Sequence, residues 1–180
     1  MRTSSRTNAA RRSGAYRTLL ALALPGLLGL SCGSDPPAAT ELAPVAEHSL
    51  IYQHDGGGIR DLRRTVVRDR AGLARAWSEA TSHQGANAPS MPAVDFEQEM
   101  VVVVAAGPRK IGSRISVERV GIRSLPDEEG DMRDVMLVCV VTTASAADIE
   151  TEVYPVSIVR VTRFDGPVQW QDAPDPAACR

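Results

Sequence analysis

Two apolar runs that do not alternate, Met100–Ala106 (MVVVVAA) and Asp134–Thr143 (DVMLVCVVTT), constrain this chain more than anything else in it. A strand with one wet face alternates polar and apolar residues, so a short Val-rich run without alternation is a strand covered on both faces. Both runs are therefore expected to be central strands. Shorter signals surround them. His48–Gln53 and Asp61–Arg68 flank Gly56-Gly57-Gly58 and read as a hairpin. Asp69 suits a helix N-cap, and Leu73 and Trp77 share one face of the helix that follows. Ser113–Arg123 alternates at Ile115 and Val117, then slips phase to Val120 and Ile122, which predicts a bulge near Glu118-Arg119. Val153–Arg163 is a further strand, with Pro155 marking an edge or a strand start, and Val168–Gln171 is a last short one. The expected fold is α+β: mainly antiparallel β-sheet with one packed helix at about residues 70–82.

The N-terminus reads as an export address. Five of the 20 basic residues and none of the 22 acidic ones precede position 32, and Leu19–Leu30 is an apolar stretch of 12 residues. That length fits a signal-peptide core and is too short for a membrane-spanning helix. Ser31-Cys32-Gly33 then resembles a bacterial lipoprotein signal, which implies acylation of Cys32, with residues 1–31 removed. Gly33 after the anchor leans towards the outer membrane where a cell has one. The alternative is an ordinary signal peptide cut nearby, leaving a free thiol. Residues 32–47, rich in Pro and Ala and without hydrophobic periodicity, form a flexible tether to a globular domain over residues 48–180.

Composition narrows the function. From residue 32 onward the chain carries 15 basic and 22 acidic residues, a balance of −7, and only 4% of it is aromatic. Phosphate neutralisation and base stacking both lack material, so nucleic-acid binding is excluded. Gly107 and Gly112 are spaced as in a phosphate-binding loop, but no Lys follows the second glycine and the segment joins strand to strand. Without a helix N-terminus it reads as a glycine-hinged hairpin loop. Asp127, Glu128, Glu129, Asp131 and Asp134 lack the ligand order of a Ca²⁺-binding loop and read as a solvated hairpin tip. His48, His54 and His83 are not at metal-ligand spacing, and neither a metal nor a cofactor is expected.

The three cysteines divide by compartment. An exported chain matures where disulfides form, and acylation of Cys32 leaves Cys139 and Cys179 as the two ends of a single bridge. The alternative is two unpaired thiols, with Cys139 buried as a small hydrophobe.

Several stretches in order resemble the PrcB_C-like domain: Gly57-Gly58-Ile59-Arg60, Val66–Asp69 leading into the Trp77 helix, and Val94-Asp95-Phe96 before the Met100 run. Gly107 with Gly112, and Thr151 with Tyr154-Pro155-Val156, continue the match over about residues 55–170. The resemblance implies a domain without catalytic residues that stabilises or assembles a protein complex, with an envelope protease as the type of partner. Two classes of function follow. One is a non-catalytic protein-binding module, using an edge near Val153–Arg163 or the loop Gly107, Arg109, Lys110 and Gly112. The alternative is a hydrolase or metal-dependent enzyme whose carboxylate site assembles only in the fold.

Overall fold

A computed structural model describes residues 47–146, 149 and 151–179. Helix α1 (Arg70–Thr81) starts where the Asp69 carboxylate accepts the Gly72 N–H at 2.7 Å. It buries Leu73, Trp77, Ala80 and Thr81, a stripe at helical spacing. That stripe lies on a four-stranded antiparallel sheet in the order β1 (His48–His54), β8 (Val156–Thr162), β3 (Glu99–Ala106), β2 (Leu62–Val67). Behind it stands a second sheet in the order β5 (Arg114–Pro126), β6 (Met132–Thr143), β9 (Val168–Ala173). A two-residue ribbon pairs β4 (Arg109–Lys110) with β7 (Glu152–Val153).

The layering explains the unalternating runs. Along β3, Val101, Val103 and Ala105 pack towards Leu73 and Trp77 of α1. Met100, Val102, Val104 and Ala106 pack towards Ile115, Val120, Met136, Val138 and Val140 of the second sheet. Both faces are buried, so neither tolerates a polar residue. In β6 the second face is covered differently. Cys139 and Val141 meet Ala173 and Cys179, and the C-terminal segment is held there by a Cys139–Cys179 disulfide with Cα atoms 5.7 Å apart. The β5–β6 register shifts between Val117 and Arg119, where the phase slip predicts a bulge.

Two expectations are corrected. β1 and β2 do not form a hairpin: they are opposite edges of the four-stranded sheet, because β8 and β3 lie between them. Gly57 and Gly58 carry the chain across the end of that sheet, donating to Tyr154 O and Ala80 O. Nor is Val153–Arg163 an edge. Pro155 ends a short ribbon, and the strand after it pairs on both sides. One pairing is parallel, that of β6 with β9, which the chain reaches by crossing between the sheets after β8.

Candidate functional site at the glycine end of the sheet

The loop Gly107–Gly112 and the crossing Gly56–Gly58 come together at one end of the four-stranded sheet, with β7 as the element they share. Gly107 and Gly112 both take left-handed backbone, φ +67° and +85°, which favours glycine at the two hinges. Between them Arg109 and Lys110 are exposed, set opposite Val153 and Glu152 in the ribbon, and Ile111 N–H donates to Thr151 O at 2.8 Å. The loop is thus braced by β7, and it is not the hairpin expected: it carries the chain from β3 to β5, which belong to different sheets. On the other side of β7, Glu152, Val153 and Tyr154 line a shallow pocket with Gly56–Gly58, Arg60 and His83.

The pocket is built by close backbone approach. A Cβ on Gly57 would lie 2.4 Å from Val156 Cγ1, and one on Gly58 would lie 2.0 Å from Glu79 O. These glycines let the crossing settle between the end of α1 and the start of β8. That contact brings two histidines together, His54 at the end of β1 and His83 just past α1, with ring centroids 4.4 Å apart and planes tilted by 49°. The Gly56 N–H donates to His54 Nδ1 at 3.0 Å. Burial, then the neighbouring His54, pushes the His83 imidazole below its ordinary pKa, against a backbone hydrogen bond at Ala80 that raises it. Behind the pair, Tyr52 packs against Trp77 at 5.2 Å and its hydroxyl accepts from Gln84. At the rim the Arg60 guanidinium stands 5.6 Å from the Tyr154 ring centre, and the Tyr154 hydroxyl donates to the Glu152 carboxylate. That hydrogen bond holds the Tyr154 proton and raises its pKa.

The end of the sheet therefore sets cations on a braced ribbon beside an aromatic and imidazole surface, groups chemically able to engage charge and to stack. No group of three or more His, Cys, Asp or Glu side chains is placed to hold a metal ion among the described residues. Asp127–Asp131 form the exposed turn between β5 and β6, closed by Asp127 N–H to Asp131 O at 2.8 Å. Cys32, with the expected signal over residues 1–31 and all of the expected tether except Glu47, lies outside the described residues. Sequence reasoning missed His54 with His83 and the bracing of Arg109-Lys110 by β7. The available signal was the glycine triplet: three glycines exceed the needs of a simple turn and mark a close approach. No family model, curated protein or solved structure matches the chain.

Proposed function

We propose that the protein is an envelope-anchored, non-catalytic protein-binding module: exported, held to the membrane through a lipid on Cys32, and carrying a PrcB_C-like domain that stabilises or assembles a surface complex. The partner is a protein, with an envelope protease as the type the resemblance implies, and no cofactor belongs to this reading. Where the cell has an outer membrane, the anchor sits there. The observation that carries the proposal is the β4–β7 ribbon, which presents exposed Arg109 and Lys110 on a chain with a −7 balance after residue 31. A fixed pair of cations on an acidic protein selects an acidic partner surface and speeds encounter with it. The Cys139–Cys179 bridge supports the exported location, since such bonds persist in oxidising compartments.

The test is capture from detergent-solubilised envelope with the full chain as bait. Arg109→Glu with Lys110→Glu should weaken capture while leaving the melting temperature nearly unchanged. Normal capture by the double variant removes the ribbon as the binding surface. Substrate turnover abolished by a carboxylate substitution overturns the binding reading.

A further inference from the structure

The free edge of β2 lies beside Arg75, which has no ion-pair partner among the described residues, and its backbone can be oriented from one hydrogen bond. Ala106 N–H donates to Pro155 O, on the β8 side of β3. In an antiparallel ladder the backbone groups of successive residues point to opposite sides, so Met100, Val102, Val104 and Ala106 face β8 while Val101, Val103 and Ala105 face β2. Those three pair in register with Val67, Thr65 and Arg63. The N–H and C=O groups of Arg64 and Val66 therefore point away from β3, off the edge of the sheet.

That edge lies between two walls. On one side is α1, with Arg75 exposed beside the groove; on the other are Trp170 of β9 and the loop before it. The carboxylates along the groove are engaged. Glu79 accepts from both terminal guanidinium nitrogens of Arg63, Asp69 caps α1, and Asp165 pairs with Arg163. Among the described residues two cations of the groove are not matched by acids: Arg68 donates to the carbonyls of Phe164 and Gly166, and Arg75 has no ion-pair partner. By contrast, β1 at the far edge leans on β5, through Gln53 Nε2 to Ile115 O and the Arg114–Asp55 pair.

We propose that β2 accepts an extended acidic segment of a partner protein as a fifth strand. The guest's main chain pairs with Arg64 and Val66, its acids on one face meet Arg75, and apolar residues on the other face meet Trp170. Strand addition draws affinity from main-chain hydrogen bonds and specificity from alternate side chains, and here the groove differs in character on its two sides. This assignment rests on the binding reading and names the partner's recognised chemistry at a surface separate from the ribbon.

The test uses the full chain in detergent micelles and two synthetic peptides, one alternating Val with Glu and one alternating Val with Lys. Amide hydrogen exchange is followed residue by residue. The acidic peptide should slow exchange at Arg64 and Val66, leave Thr65 and Val67 unchanged because β3 already holds them, and bind at least about threefold more weakly to Arg75→Glu. The Lys peptide should give no protection. Equal protection by both peptides, protection confined to β1, β5 or β9, or none at about millimolar peptide overturns the proposal. Failure here removes the edge assignment alone, because envelope capture judges the binding reading with a different probe and a different variant.

Discussion

A methyl group added at Gly58 would land 2.0 Å from the Glu79 carbonyl oxygen and 2.1 Å from Ser82 Oγ, and the first of those is helix backbone that cannot step aside. Gly58→Ala should therefore cost roughly 3 kcal/mol as an overpacked contact. Gly121→Ala is the control: no atom lies within 4 Å of its added Cβ, so the outcome should fall between neutral and about 1 kcal/mol stabilising. Denaturant titration of the two variants reads the difference, and equal stabilities would mean the crossing is not packed as described. Residue-scale features of this kind were partly legible. The glycine triplet stood out, but as a turn, because nothing local says that Ala80 and Tyr154 flank it. Asp69 was legible in full, since an N-cap is a local event involving only the next three residues.

At the scale of elements, the junction of α1 with β1 carries a dependence on pH. His83 is held below its ordinary value of 6.5, so the unfolded chain binds a proton in a range where the folded chain does not. Stability then rises with pH up to the unfolded value and is level above it; on acidification it falls until the folded value is reached. Melting temperature should drop as the pH falls below about 6.5, and His83→Gln should flatten that drop relative to the parent, with the carboxylates common to both chains cancelling in the comparison. A variant as steep as the parent would assign the dependence elsewhere. The strands that follow from periodicity were read from sequence with small errors at their ends, including the bulge between Val117 and Arg119. The β4–β7 ribbon was not, since two residues carry no period. Strand order was not legible either: β1 and β2 look like a hairpin because they are neighbours in sequence, while burial of β3 and β8 places them apart.

Across the whole molecule, the outer face of β6 is closed by the C-terminal segment, and the bond that closes it joins residues 40 apart. Removing it as Cys139→Ala with Cys179→Ala should lower the unfolding free energy by about 4 kcal/mol on the loop-entropy estimate. Denaturant midpoints of the oxidised parent and the double variant check this, and coincident midpoints would refute the pin. The same long reach governs a different property, the order in which the domain can be assembled. β1 is the first of the described strands to leave the ribosome, yet its ladder partner is β8, one of the last. The four-stranded sheet must then wait for nearly the whole domain to be synthesised, and its central pairing of β3 with β8 waits equally long. Pairings of such wide sequence separation belong to slow, millisecond-to-second folding. Until β8 has been made the four-stranded sheet cannot close, whereas the β5–β6 hairpin, adjacent in sequence, can pair ahead of it.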